Sequence, residues 1–458
     1  MAKWFDKKFE FEFEFLSEEI EKKLSIRQIR QWAKQEGFMV RRTKLKPEQF
    51  LLLLLSEDSI GNHSLVQLCA SLSADFNVVM TTEGLNQRFN SRAVKFLKAC
   101  FYALFMRQLD IPKPIAIRRL FNRIRILDST SFDLSSIYED YKGANGSGVK
   151  IQLEYELYHG NFLNLAVQEG IESDAKYPEV IQDIQQGDLC LRDMGYYSID
   201  NLLDIEKQGG YFISRVKQNI NLYKKNDNGK WEKIDPLKET EHLKPGEVME
   251  LDEVKIGGRI KNPLITRVIF AKLTEEQVSK RQAHLNKKKK KGKSILSAQQ
   301  NIAVNIYITN IPQTMVKKED IHAIYSLRWQ IEILFKTWKS LFKIHRVKKM
   351  KKERFECQLY GTLIRIILCS TLAFHCRRML YIKDHMETSE FKSISIVIEA
   401  MPGLKDVIIN KILSFKELLR RIYRSIKANG RKCHKGEKQT VFDILAIAYN
   451  KTIGEKVA

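Results

Sequence analysis

A mixed α/β chain of more than one domain is what this sequence predicts, and three observations carry that expectation. At 458 residues it is too long for one compact core, and at 44% hydrophobic it can build more than one. Between about residues 123 and 216, strand-like runs alternate with helical periodicity, the pattern of an α/β or α+β layer architecture. On both sides of that stretch, helical periodicity dominates.

Taken in order, residues 9–15 alternate Phe and Glu, the period of a strand. A helix is expected after Ser17, with Glu18 and Glu19 in its electropositive first turn. Ser25-Ile-Arg-Gln28 has the form of a capping box for the next helix, and Gly37 suits its stop. Residues 47–105 read as helical: one apolar helix over 49–55, another capped by Ser64 and running to 71, and a third over 82–105. Two short helices with a tight connection, bearing Glu83, Asn86, Gln87 and Arg88, suggest a helix-turn-helix DNA reader with Arg88 among its contacts. An ordinary helical bundle explains the same residues equally well.

The pattern changes near Pro112-Lys-Pro114. Strands are expected over 123–128, 149–157, 163–169, 188–193 and 211–216, with helices over 177–185 and 199–207. Residues 217–310 carry short β-like runs (248–254, 264–272, 303–309) around a lysine run at 287–291, which reads as a mobile basic loop. From about residue 319 onward the chain is predominantly helical. Three consecutive regions follow: a helical DNA-binding region at 1–114, a catalytic region at 115–352 with a mostly β insertion at about 217–310, and a helical region at 353–458.

Charge narrows the partners. There are 78 Lys and Arg against 55 Asp and Glu, a net +23. An excess of that size points to a polyanion, either nucleic acid or an acidic membrane surface. The longest purely apolar run, residues 50–55, is far short of the roughly 20 needed to span a bilayer, and the first residues lack a secretory pattern. Nucleic acid in the cytoplasm is the expectation, with no membrane partner. Seven cysteines, an odd number with no Cys-x-x-Cys pair, are expected to be reduced thiols.

Residues 320–344 are the most informative segment. On a continuous helix of about 3.6 residues per turn, the spacings among Tyr325, Arg328, Glu332, Lys336 and Lys339 all return close to whole turns. These five residues therefore share one face. Leu327, Ile331, Leu334, Phe335, Trp338 and Leu341 fall on the opposite side. One carboxylate is thus flanked by a phenol and cations. That arrangement suits a metal–phosphate site, since Glu can ligate a metal while Arg and Lys hold phosphates. It also suits a surface helix with i,i+4 ion pairs.

The spacing Tyr325-x-x-Arg328-x-x-x-Glu332-x-x-x-x-x-x-Lys339 resembles the Tyr-Arg-Glu-Lys signature of insertion-sequence transposases of the IS-four family. Leu127-Asp128-Ser129-Thr130 is similar to the family's first Asp block. Leu191-Arg192-Asp193-Met194-Gly195-Tyr196-Tyr197 is similar to its second. The interval from Asp193 to Glu332 is about twice that from Asp128 to Asp193, which is similar to the family's β insertion in the second interval. Taken alone, Asp133 or Asp188 would serve as alternatives. Residues 16–57 also resemble a Bacillus-type subgroup. Some members stack a Trp of the β insertion on a flipped base; the matching position here is Asn305, with Tyr307 as a substitute.

The resemblance implies a ribonuclease-H-like core in which Asp128, Asp193 and Glu332 hold two Mg²⁺ ions, with Mn²⁺ able to substitute. Asp128 would bridge both ions. Tyr325, Arg328 and Lys339 would bind DNA phosphates near the cut. It further implies action on double-stranded DNA, with terminal inverted repeats cut through hairpin ends and joined to target DNA. A homodimer would hold paired ends through residues 353–458, in a bacterial, nucleoid-associated setting. Two alternatives remain open: a metal-dependent nuclease on the same core, and a transposase-derived regulator that binds DNA without cutting.

Overall fold

The computed structural model describes residues 14–41, 43–56, 60–106, 120–144, 146–174, 177, 182–196, 198–216, 220–257, 263–290, 302–433, 441 and 444. Of the strand-like stretch expected over 9–15, residues 9–13 lie outside them and residues 14–15 are helical instead; Pro112-Lys-Pro114 also lies outside them. Two compact units interleave along the chain. One is formed from Met1–Pro114, Ser129–Ile171 and Ile333–Glu437, the other chiefly from Ile115–Asp128 and Glu172–Glu332.

The first unit is mainly helical. Ser25 caps the helix Ile26–Gln35 through the Gln28 amide, and Gly37, at φ +68°, ends it. The helix Pro47–Ser56 buries every residue from Pro47 to Leu55, as expected of a helix apolar all round. Ser64 and Gln67 form a full capping box on Leu65–Phe76, which runs five residues past the expected end. The helix expected over 82–105 is two, Thr82–Arg88 and Ser91–Met106, because Asn90 accepts from the Arg92 and Ala93 amides and restarts the helix.

At the centre of this unit lies the helix Lys352–Asp384. Gly361 admits the Pro47–Ser56 helix: a Cβ there would sit 2.9 Å from the Leu54 Cβ. Among the described residues this is one helix long and apolar enough to cross a membrane, and 94% of its apolar window is buried within the protein. The sequence reading overlooked that window because Arg365 and scattered polar residues break the apolar run. Strands β2 (Lys142–Gly143), β3 (Gly146–Glu156) and β4 (Asn161–Glu169) pair antiparallel in the same unit.

In the second unit, the first part of β1 (Ile124–Leu134) pairs parallel with β5 (Leu189–Arg192), and β5 with β6 (Tyr211–Arg215). The helix Ile199–Lys207 crosses over between β5 and β6, the connection that parallel neighbours require. Strand β11 (Val304–Thr309) then pairs antiparallel with β6, followed outward by β10 (Leu264–Lys272), β9 (Val248–Ile256), β7 (Leu222–Lys225) and β8 (Trp231–Lys233). Their apolar faces share one core, including Leu202, Phe212, Leu222, Val254, Ile256, Val268, Phe270 and Ile308. The insertion is β-rich as expected, with one correction. Residues 275–290 form a helix, so of the lysine run at 287–291 the residues 287–290 end a helix rather than occupy a loop, and 291 lies outside the described residues. Of the helix expected over 177–185, the described residues 182–185 are not helical, and 178–181 lie outside them.

Asp188 has a structural task. It is fully buried, 2.5 Å from Arg123 and 3.3 Å from the buried Arg125, and it accepts the Gln185 amide. Arg125 also donates to the Gln182 and Asp183 carbonyls at 2.7 Å each. Removing one partner of such a network strands a buried charge. Asp188→Ala is therefore expected to lose about 3–5 kcal/mol of stability in urea unfolding. An unchanged midpoint would show that the network is dispensable.

Candidate active site

Parallel pairing brings the two aspartates together. The register sets Leu127 beside Arg192, so Asp128 and Asp193 each follow one of two directly paired residues, on strands that lie roughly 4.8 Å apart. This is the carboxyl end of the parallel pair, where open α/β sheets present their ligand sites. Asp188 sits at the opposite end of β5 and is enclosed, which separates it from this position. Asp133 is exposed on the last part of β1.

The helix expected over 320–344 is broken. One helix covers Lys318–Ser326 and a second covers Trp329–Ser340. Between them the Leu327 and Arg328 amides bond three residues back, to Ile324 and Tyr325, which tightens the turn. The break changes what the signature displays. Tyr325 is 7% exposed instead of facing solvent, and its hydroxyl donates to the Arg192 carbonyl at 3.3 Å. The phenol thereby holds the first helix against the residue that precedes Asp193. Leu327, Ile331, Leu334, Phe335 and Trp338 are buried as expected.

Arg328 is the hub. Its Nη2 donates to the Glu332 Oε1 at 2.7 Å and its Nη1 to the Asp128 Oδ2 at 3.4 Å. Burial pulls its pKa down, but Tyr325, the Glu332 hydrogen bond, Asp193 and Asp128 outweigh that, and the net shift is upward. Burial, joined by the Asp193 and Tyr307 charges and opposed by Arg328 and Arg215, pushes the Tyr325 phenol up to about 12. Both groups therefore feel Asp193. The carboxylates keep an outlet to solvent, with side chains 19% exposed at Asp128 and 26% at Glu332.

Asp128, Asp193, Glu332, Tyr325 and Arg328 thus gather in one unit. Lys339 belongs to the other, where its ammonium donates to the Ser131 carbonyl at 3.2 Å and burial lowers its pKa. Lys336 is exposed. Among the described residues no three His, Cys, Asp or Glu side chains converge as a ready-made metal centre. The donor set itself is of a kind that suits a hard divalent cation, being carboxylate oxygens without sulfur or imidazole.

Arg88 is placed differently from a reader's contact. Its guanidinium lies 4.4 Å from the Phe38 ring centroid, with Nε and Nη2 buried and without a hydrogen-bond partner among the described residues. Burial lowers its pKa. This is a packing position within the helical unit. Asn305 is buried and accepts from Arg281. Tyr307 is 1% exposed, its hydroxyl 2.7 Å from the His322 Nδ1 and its ring 5.3 Å from that of Tyr325. Neither side chain presents an open face to a base. The sequence reading missed the Tyr307–His322 pair that backs Tyr325. Only the spacing of His322, one turn before Tyr325, hints at it.

Residues 119–368 match the family model of the transposase DDE domain. The chain is 38% identical over 463 residues to the transposase for insertion sequence element IS231B of Bacillus thuringiensis subsp. berliner, covering 96% of each. It is 39% identical to the IS231E transposase of subsp. finitimus, over 96% of this chain and 97% of that one. It is also 35% identical to the IS1151 transposase of Clostridium perfringens, over 94% and 96%. Among solved structures, a piggyBac transposase synaptic complex with hairpin DNA matches at a TM-score of 0.41 and 13% identity, over 88% of this chain and 77% of that one, a likeness too loose to carry an argument. On the family match and on relatives that run nearly end to end, the chain belongs to the DDE transposases of bacterial insertion sequences, enzymes that act on DNA.

Proposed function

We propose that Asp128, Asp193 and Glu332 are the DDE carboxylates of this transposase, and that it cuts element ends and joins them to target DNA. The observation that carries this reading is Arg328, held between Asp128 and Glu332. A guanidinium between two carboxylates marks a place where negative charge is concentrated and a cation is wanted. The first part of β1 with β5 and β6 would form the centre of a ribonuclease-H-like core.

DDE transposases use divalent metal ions, and Mg²⁺ is the proposed ion, with two per site and Mn²⁺ able to replace it. When bound, such ions supply an activated water and neutralise charge at phosphorus. Asp128, Asp193 and Glu332 would hold them. Arg328 turns its fork from the carboxylates to a phosphate oxygen, Lys339 holds a phosphate as a point charge, and Tyr325 fixes the backbone beside Asp193. Water adds to phosphorus and the P–O3′ bond breaks, leaving a 3′ hydroxyl and a 5′ phosphate. That hydroxyl then attacks a phosphodiester of the opposite strand, forming a hairpin and displacing a second 3′ oxygen. Water then hydrolyses the hairpin phosphodiester, freeing the 3′ hydroxyl and leaving a 5′ phosphate, and that 3′ hydroxyl attacks a target phosphodiester, displacing a 3′ oxygen of the target strand.

In this reading the enzyme works as a homodimer on paired inverted repeats at the bacterial nucleoid. Residues 353–458 supply the dimer contact, and the N-terminal helices supply DNA contacts. The deciding experiment incubates the full chain with linear DNA carrying the element's two ends, a circular target and Mg²⁺. Covalent joining of ends to target is expected, with hairpin ends as intermediates. Cleavage without joining would make the protein a nuclease, and binding without cleavage a regulator.

A further inference from the structure

The solvent face of the outer sheet edge carries chemistry that the cut itself does not use. Directly opposed residues in antiparallel strands share a face. Tyr223 of β7 opposes Lys233 of β8 and Lys255 of β9, Lys225 opposes Trp231, and Ile265 of β10 opposes Lys255. These six side chains therefore lie on one face. The other face holds the core residues Leu222 and Ile256 and, at its margin, Lys224 opposite Glu232.

Charge is divided unevenly between the two. On the core side Lys224 is ion-paired with Glu239. On the solvent side three lysines surround two aromatic rings, and the acid beside them is Glu253, 75% exposed and 3.7 Å from Lys225. So open a pair contributes little. Both Lys225 and Lys255 hold their ammonium groups over the Trp231 ring, at 5.5 Å and 5.6 Å from its centroid. Ile265, 48% exposed, extends the face with apolar surface.

Lysines on an edge strand also discourage sheet-to-sheet aggregation. That role requires charge at the edge, not two aromatic rings set among the charges. The hairpin is also preorganised. Asn226 accepts from the Asn228 and Lys230 amides, and Gly229, at φ +72°, lets the turn close. A fixed platform of aromatic rings among cations is how sequence-tolerant proteins bind unpaired strands, with rings stacking on bases and cations following phosphates.

We propose that the β7–β8–β9 face, centred on Trp231 and Tyr223 with Lys225, Lys233 and Lys255, is a binding site for an unpaired DNA strand. Such a strand arises whenever a nick or hairpin step separates the duplex next to the cut. The site is independent of the carboxylate assignment, because it needs only that the enzyme handles DNA.

The test measures fluorescence anisotropy of a labelled 20-mer oligothymidylate and of a duplex of arbitrary sequence with the full chain, in EDTA. Without divalent metal no cleavage contributes, so failure here does not bear on the carboxylates. Trp231→Ala is expected to weaken oligothymidylate binding about tenfold and duplex binding less than twofold, within the range for loss of one stacked base. Trp231→Phe should recover most of the loss. Lys225→Ala with Lys255→Ala should reduce the salt slope for the single strand by about 1.4, at roughly 0.7 per phosphate contact. Lys224→Ala, on the other face, should change neither. Unchanged oligothymidylate binding in Trp231→Ala, or equal losses on both DNAs, would overturn the proposal. Should Trp231→Ala misfold, Lys225→Glu with Lys255→Glu decides instead, and undiminished single-strand binding there would overturn it too.

Discussion

Asp128→Asn, Asp193→Asn and Glu332→Gln are each expected to lose DNA cleavage by on the order of 10³-fold or more, while binding to element ends should stay within a fewfold of the parent. The amides keep shape and hydrogen-bonding capacity but remove the charge that holds a divalent cation. Charge stabilisation by such a cation lowers the barrier by several kcal/mol, at about 1.36 kcal/mol per tenfold in rate. End binding survives because it rests on the basic excess of the chain, not on three carboxylates. The three variants should also differ in one respect. Asp128→Asn and Glu332→Gln each loosen one arm of Arg328, whereas Asp193 acts on Arg328 through its charge. Calorimetric titration with Mn²⁺ and cleavage of labelled ends are the measurements. Full cleavage by any one of the three removes that residue from the site.

Local signals carried most of the element placement, and long-range contacts account for what they missed. Ser64 with Gln67 marks a helix start by a short-range hydrogen-bond pattern, and that start is where the pattern puts it. Strand β10 and the helix Ile199–Lys207 have the expected bounds because alternation and 3.6-residue periodicity are themselves local. The break at Leu327–Arg328 is not local in origin. Nothing in Tyr325-Ser-Leu-Arg328 forbids a helix, but Tyr325 reaches Arg192, 133 residues earlier, and Arg328 reaches Asp128, 200 residues earlier. Those contacts settle the turn. The same holds for Asp188. From sequence it competes with Asp193 as a strand-end carboxylate, and only its two arginines, more than sixty residues away, show that its charge is already matched. Within the candidate site, Asp193 was legible as a strand-end acid and Glu332 as a carboxylate among cations; Asp128 was expected at a strand end but lies inside β1, where only the parallel pairing stops. The enclosure of Tyr325 by Tyr307 and the Arg192 carbonyl was not.

Arg328→Ala is expected to slow cleavage on the order of 10²-fold and, at the same time, to tighten Mn²⁺ binding. Both effects have one cause. The guanidinium is a cation already lodged against Asp128 and Glu332, so it competes with a metal for the same oxygens. Removing it leaves the carboxylates to the metal. The rate nevertheless falls, because the phosphate loses its bidentate anchor, and a displacement of about 1 Å at the reacting centre costs a factor of that order. Arg328→Lys keeps the charge without the planar fork and should recover the rate only in part. Lys339→Ala should also slow cleavage, but without tightening metal, since its ammonium donates to the Ser131 carbonyl rather than to a carboxylate. Lys336 is the control: it is exposed on the same helix and outside the signature spacing. Its alanine variant should be milder than Lys339→Ala. Equal losses at 336 and 339 would make charge density the operative quantity. If Arg328→Ala weakened metal binding in step with cleavage, Arg328 would be acting by shaping the carboxylates, and the phosphate role would fall.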